Sequence, residues 1–217
     1  TWSVLHDPQG LINLMGGKNN YIKKMDEIFT SKPSSDYSYY GFKIHEILEM
    51  ELAGMGQYAH GNQPIQHAIY LYNYAQQPWK TQEKVRYVMD NLYGSGADGY
   101  CGDEDNGQTS AWFVFSSLGF YPVAPVTGQY VIGSPLFEEV TIKLSNGKDL
   151  KINAHENSDK NIFINSFKFN QLESNNNWID HNILKEGGVI DFEMTSTPNL
   201  NWGSDKNSVP YSMSKDE

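Results

Sequence analysis

Val140-Thr141-Ile142-Lys143-Leu144-Ser145-Asn146-Gly147-Lys148-Asp149-Leu150-Lys151-Ile152 alternates apolar and polar residues on both sides of an Asn-Gly pair. Period two puts Val140, Ile142 and Leu144 on one face of a strand, and Leu150 and Ile152 on one face of the next. Asn146-Gly147 is the pair that a two-residue hairpin turn favours, so the stretch predicts two antiparallel strands. Asn161-Ile162-Phe163-Ile164-Asn165 and Val189-Ile190-Asp191-Phe192-Glu193-Met194 read as further strands. All of them fall within residues 125–203, which are expected to form a small antiparallel β region.

Upstream the period changes. In Gly10-Leu11-Ile12-Asn13-Leu14-Met15 and in residues 21–29, apolar positions recur at three and four, the spacing of a helix face. Ile44, Ile47, Leu48 and Leu52 continue it. Pro64 and Pro78 suit the first turn of two more helices, one through Ile65, Ala68, Ile69 and Tyr72, the other through Val85, Val88, Met89 and Leu92. A last helix covers Gln108 to Leu118 and stops at Gly119. The fold class is therefore α+β, with helices over residues 1–124 and strands over 125–203. The polar residues 204–217 are expected to form a frayed tail. Long loops separate the helices, at 34–41 (rich in Tyr and Ser), 58–64 and 98–107. A helical toroid with its site at the loop end fits this order, and so does a plain helical bundle.

With 217 residues, 39% of them hydrophobic, the chain is long enough for one large domain or two small ones. A net charge of −10 opposes binding to nucleic acid, which needs clustered Lys and Arg, and to an anionic membrane surface. No apolar run approaches a membrane span. The single Cys101 excludes an internal disulfide. Aromatic residues reach 13%, which suits both stacking on sugar rings and a large β core.

Cys101-Gly102-Asp103-Glu104-Asp105-Asn106-Gly107-Gln108 carries the densest chemistry. Adjacent carboxylates raise one another's pKa unless a cation or a helix N-terminus compensates. Such a group can hold a hard cation or activate water. It can equally end in a helix cap, with Asp105 or Asn106 capping the helix that follows. His60-Gly61-Asn62-Gln63-Pro64 offers amide oxygens for a cation and amide donors for sugar hydroxyls, or else a loop that caps the next helix. His6-Asp7 is either an acid–base pair or a cap with a packed histidine. Glu46 and Glu49, with His45 and Glu51, share a helix face that is either solvated or coordinating. Zinc is disfavoured, because no Cys pair and no His-Glu-x-x-His spacing occurs. No phosphate loop and no serine nucleophile elbow occurs either. Trp112, Phe113 and Phe115 read as core, while Trp2 suits core or ligand.

In order along the chain, Trp2-Ser3-Val4-Leu5-His6-Asp7, residues 54–64, residues 72–82 and residues 98–112 resemble the C-terminal part of glycoside hydrolase family 92, calcium-dependent exo-acting α-mannosidases. Leu118-Gly119-Phe120-Tyr121-Pro122-Val123, Ile132-Gly133-Ser134-Pro135 and Pro198-Asn199 extend the resemblance over nearly the whole chain. It implies the C-terminal half of an (α/α)6-toroid catalytic domain that follows an N-terminal β-sandwich. It implies hydrolysis of terminal α-mannosides with inversion, with α-1,2 linkages as the leading expectation. Asp103 and Asp105 then share the role of base. Ca2+ falls to Gln63, Asp105 and Glu49, and His6, Asp7, His45, Glu46 and Asn62 fall near the sugar. Some relatives carry Glu in place of Gln63, and a proline is common in place of Leu5. The resemblance further implies mannose-containing glycans of N-glycan or mannan type as substrates, and a secreted, periplasmic or cell-surface location. The family's acid motif, Glu-Gly-Asn-x-Trp-Gln-Tyr, would stand just before Thr1, so the chain reads as a fragment that lacks the general acid and is expected to be inactive alone. The alternative is a non-catalytic carbohydrate-binding or structural toroid domain.

Overall fold

A computed structural model describes residues 2–33 and 36–215. Thr1, Ser34 and Ser35 of the Tyr- and Ser-rich loop, and Asp216 and Glu217 of the tail lie outside the described residues. Five helices come first: α1 (Pro8–Leu14), α2 (Lys18–Thr30), α3 (His45–Ala53), α4 (Pro78–Asn91) and α5 (Gln108–Ser117). Asp7 caps α1 and Pro8 follows it, so one dipeptide both satisfies an orphan N–H and sets the helical φ. Gly119, at φ +99°, turns the chain out of α5.

The helix expected after Pro64 is a 3-10 helix, Gln63–Tyr72. Apolar spacings of three and four serve either form. Here Gln66 to Tyr72 are all buried, and Gln66, His67, Tyr70 and Tyr72 each bond a different neighbour, which tethers the tighter coil from every side. This segment runs through the helical core with Tyr21, Met25, Tyr58, Val85, Val88 and Trp112.

The strand part holds β1 (Phe120–Tyr121), β2 (Gln129–Ile132), β3 (Glu139–Lys143), β4 (Asp149–His155), β5 (Phe163–Phe169), β6 (Leu172–Ser174), β7 (Trp178–Asp180), a short helix α6 (His181–Leu184) and β8 (Gly188–Thr195). One sheet has the order β1-β2-β7 and the other β3-β4-β8-β5-β6. β3 and β4 pair antiparallel as the alternation requires, Val140 opposite Ile152 and Ile142 opposite Leu150. The turn is longer than expected. Gly147 N–H donates to Leu144 and Leu144 N–H to Lys148, leaving Ser145, Asn146 and Gly147 as a three-residue loop. Only Gly147 of the Asn-Gly pair has positive φ, +81°, which is the bulged form of the hairpin.

The second sheet is mixed, not antiparallel throughout. β8 enters between β4 and β5, parallel to β4 with Ile152 opposite Ile190 and antiparallel to β5. Alternation along β8 buries Ile190, Phe192 and Met194, and this pattern assigns a face but neither a partner nor a direction.

The two parts are joined by polar bonds. Arg86 of α4, only 3% exposed, donates to the Pro135 carbonyl (3.0 Å) and Asn157 Oδ1 (2.8 Å). Asn73 Nδ2 donates to the carbonyl of Asn177, whose own amide donates back to that of Asn73, both at 3.1 Å. The described part of the tail is also held. Tyr211 N–H donates to Gln129 Oε1 at 2.7 Å, Asn177 N–H donates to the Ser208 carbonyl at 2.8 Å, and Ser212 and Ser214 reach Asp7. A polar composition foretold fraying, but serines that bond a buried-edge carboxylate make a strap.

Candidate active site

Two loops and one helix meet at the acidic segment. Gly61 of the 58–64 loop packs against Gly102: a methyl on Gly102 would lie 2.6 Å from the Gly61 Cα and 2.9 Å from Glu49 Oε1. Only glycines permit this approach, and it brings the α3 carboxylate over the joint.

The three acidic residues divide by direction. Glu104 turns back onto α5, where Oε2 accepts from Gly107 N–H (2.5 Å) and Oε1 from Ser110 N–H (3.2 Å). Bonds from Ser110 and Gly107 hold its pKa below the ordinary glutamate value. Glu104 therefore satisfies orphan N–H groups at the start of α5, the role that a cap by Asp105 or Asn106 would have filled. Asp103 and Asp105, on either side, are exposed. Asp105, Asn106 and Gly107 all have positive φ, +48°, +58° and +92°. Two non-glycine residues in succession there cost roughly 1–3 kcal/mol each. The Glu104 bonds and the contacts below offset that strain.

Those contacts pin the backbone of Asp103. Its carbonyl accepts from Gln63 Nε2 and from Thr109 Oγ1, both at 2.8 Å, and Gln63 Nε2 also reaches Thr109 Oγ1 at 3.2 Å. The Gln63 amide nitrogen is thus used within the protein, and its Oε1 is the atom suited to a ligand. Asn62 is the N-cap of the 3-10 helix, yet its side chain makes no capping bond.

His45 lies between carboxylates, Nδ1 at 2.9 Å from Glu49 Oε1 and Nε2 at 3.4 Å from Glu46 Oε1. The Glu49 bond raises its pKa, with the charges of Glu46, Glu49 and Asp103 adding to it against desolvation. Burial raises the pKa of Glu49 despite the His45 bond, and the charges of Glu46 and Asp103 add to the rise. Glu49 Oε2 is buried and has no hydrogen-bond partner among the described residues. A cleft of about 390 Å³ opens beside it, lined in part by Tyr93, Tyr100 and Cys101. A buried carboxylate oxygen with no donor, in the field of two other carboxylates, suits a hard cation. Among the described residues, however, no group of three or more His, Cys, Asp and Glu side chains is placed to hold a metal by itself. A cation here would need amide or carbonyl oxygens as well, and Gln63 is beside Asp103 to supply one.

The structure therefore gathers His45, Glu46, Glu49, Gln63 and Asp103, with Asn62 and Asp105 adjacent to them in sequence. His6 and Asp7 stand apart, with the tail. Asp7 Oδ1 accepts from Gly10 N–H (3.1 Å), Ser212 Oγ (2.7 Å) and Ser214 N–H (2.8 Å), and Oδ2 accepts from Ser214 Oγ (2.8 Å). Burial raises its pKa, but these bonds more than cancel that and bring it to about 2. Thr109 and Tyr93 were not singled out from the sequence. An isolated Thr or Tyr carries no spacing signal, and their partners lie up to 46 residues away.

Two solvent-facing aspartates on a glycine-hinged loop, beside the half-buried Glu49, are groups able to take or give a proton. The profile of the glycosyl hydrolase family 92 catalytic domain matches residues 1–196, and the chain belongs to that family. An inverting mannosidase of the family from Bacteroides thetaiotaomicron is 53% identical, with a TM-score of 0.83 over 97% of this chain and 29% of that one. A family 92 α-mannosidase of the same organism, solved in complex with mannoimidazole, is 35% identical, with a TM-score of 0.89 over 99% of this chain and 27% of that one. An uncharacterized secreted glycosidase of Arthroderma benhamiae is 28% identical over 97% of this chain. The chain spans about a quarter of that relative's length, 24%.

Proposed function

We propose that the protein hydrolyses terminal α-mannosides, α-1,2 linkages first, with inversion at the anomeric carbon. In this reading Asp103 and Asp105 form the base side. One carboxylate takes a proton from water, the water oxygen attacks the anomeric carbon, and the glycosidic C–O bond breaks as the leaving oxygen is protonated by a general acid. No residue of this chain is assigned that acid. His45, Glu46 and Asn62 present donors and acceptors to the sugar, while Asp7, apart from them, anchors the tail beside the segment that carries His6. The helical part is the C-terminal half of an (α/α)6 toroid that follows a β-sandwich, and the setting is secreted or periplasmic. Described helices include none long and apolar enough to cross a membrane.

Gln63, Asp105 and Glu49 are the residues that would hold Ca2+. Bound there, calcium would engage sugar hydroxyls and favour the distorted ring that precedes bond cleavage.

The observation that carries the proposal is the division of the acidic triplet. Glu104 is consumed by the helix N-terminus, and the two aspartates beside it are left facing solvent. Asp105→Asn in the full natural chain should lower kcat on an α-1,2-mannobiose by about 10²–10⁴-fold and leave the melting temperature in place. Undiminished turnover would remove the assignment. Mannose binding without any turnover in the wild type would favour the non-catalytic reading.

A further inference from the structure

His60 sits directly beneath this site and has no role in the scheme above. It is 1% exposed, its ring centroid 4.3 Å from that of Trp112. Nδ1 is 2.8 Å from Tyr58 Oη, and Nε2 is 2.9 Å from Tyr93 Oη. Tyr93 has one hydroxyl proton, and it donates that proton to the Thr109 carbonyl at 3.1 Å. The Tyr93 oxygen must then accept from His60, so the proton of the imidazole is on Nε2. Nδ1 is left to accept from Tyr58, whose other acceptor, the Gln66 carbonyl, is much farther at 3.5 Å. Among the described residues no carboxylate bonds the ring, and burial lowers its pKa to about 3, so it is neutral at pH 7.

The chain of bonds continues to the acidic loop. Thr109, whose carbonyl Tyr93 holds, is the residue whose Oγ1 donates to the Asp103 carbonyl. Gln66, bonded to the His60 carbonyl at 3.1 Å, also reaches Thr109 Oγ1 at 3.4 Å. His60 thus ties the 58–64 loop to the first turn of α5, the point from which Asp103 hangs.

We infer that His60, as the neutral Nε2–H imidazole, is a positioning residue that sets the height of Asp103 through Tyr93 and Thr109. The effect on turnover rests on the function proposed above; the effect on the loop does not. His60→Gln and His60→Asn separate the two ring nitrogens. A glutamine amide reaches where Nε2 donates to Tyr93, and an asparagine amide reaches only toward Nδ1.

The test compares wild type, H60Q, H60N and Y93F in the full natural chain, by amide hydrogen exchange and by kinetics on an α-mannobiose. H60N and Y93F should speed exchange across residues 103–110 while leaving α2 at the wild-type rate. Both should lower kcat by about 10- to 100-fold with little change in KM. H60Q should stay close to wild type in both readouts. Combined with H60N, Y93F should cost little more than either change alone, because the two act through one chain. Equal behaviour of H60N and H60Q, or loosening spread over α2 as well, would overturn the inference. A wild type that does not cleave the mannobiose would instead end the proposed function, and exchange at residues 103–110 would still decide the role of His60.

Discussion

Gly61 and Gly102 meet Cα to side: a Cβ on Gly61 would stand 2.8 Å from the Gly102 Cα, and a Cβ on Gly102 2.9 Å from the Gly61 carbonyl. These atoms are backbone and cannot rotate away, and the Glu49 carboxylate also crowds both positions. Gly102→Ala should destabilise the fold by about 1–3 kcal/mol and displace the acidic loop, and Gly61→Ala should do the same. Chemical denaturation measures the first effect. Gly107→Ala is the contrast: nothing lies near its Cβ, and its cost is the strain of φ +92° alone.

Glu104 should behave as a structural acid. Glu104→Gln keeps the shape but removes the charge from the α5 N-terminus, so it should lower the melting temperature at pH 7. The pKa is depressed in the fold, so its contribution is present above the ordinary value of 4.5 and is lost as pH falls through the lowered one. Wild-type and E104Q melting curves should therefore converge as the pH falls from neutral through that lowered value. A gap that does not narrow in acid would show that the charge is not what matters.

The Asp7 strap should fail in acid. Its folded pKa of about 2 lies below the ordinary 3.8, so its stabilisation is complete above pH 4 or so and disappears as pH falls toward 2. Removing one donor with Ser214→Ala should raise the Asp7 pKa and cost on the order of 1 kcal/mol at neutral pH. A carboxyl NMR titration of Asp7 in wild type and S214A reads both shifts directly. An unchanged titration would mean that Ser214 does not reach the carboxylate in solution.

Calcium binding should depend on an amide as much as on carboxylates. Gln63→Ala removes both the oxygen offered to the ion and the amide that holds the Asp103 carbonyl. It should weaken calcium binding by at least about 10-fold in calorimetry, the scale reached when a supporting contact is lost at a metal site. Glu49→Gln should weaken it as well, because it removes the negative charge behind the buried Oε2, which has no hydrogen-bond partner among the described residues. Unchanged calcium binding by E49Q would take Glu49 out of the cation site.

The sequence spoke clearly wherever the signal was local. The Val140–Ile152 alternation, the stop at Gly119 and the Asp7-Pro8 start all depend on residues within a few positions of one another, and each appears in the fold. The ordered motifs from His6 to Asn199 placed the chain in its family. The acidic segment was located the same way, by crowding that no distant residue could hide.

What the sequence by itself determined is therefore the α+β division, the faces of its strands, the family and the acidic segment from which the proposed base and cation site are drawn. Tertiary structure alone decided how they are used. Packing made Gln63–Tyr72 a 3-10 helix, set β8 beside β4 in parallel, gave Glu104 to the helix and left Asp103 and Asp105 to solvent. It also tied the polar tail to Asp7, 205 residues away from Ser212 in sequence. The reason is physical: periodicity and capping act over a turn or two of chain, whereas hydrogen-bond partners and desolvation are set by whichever distant groups the fold brings within about 3 Å.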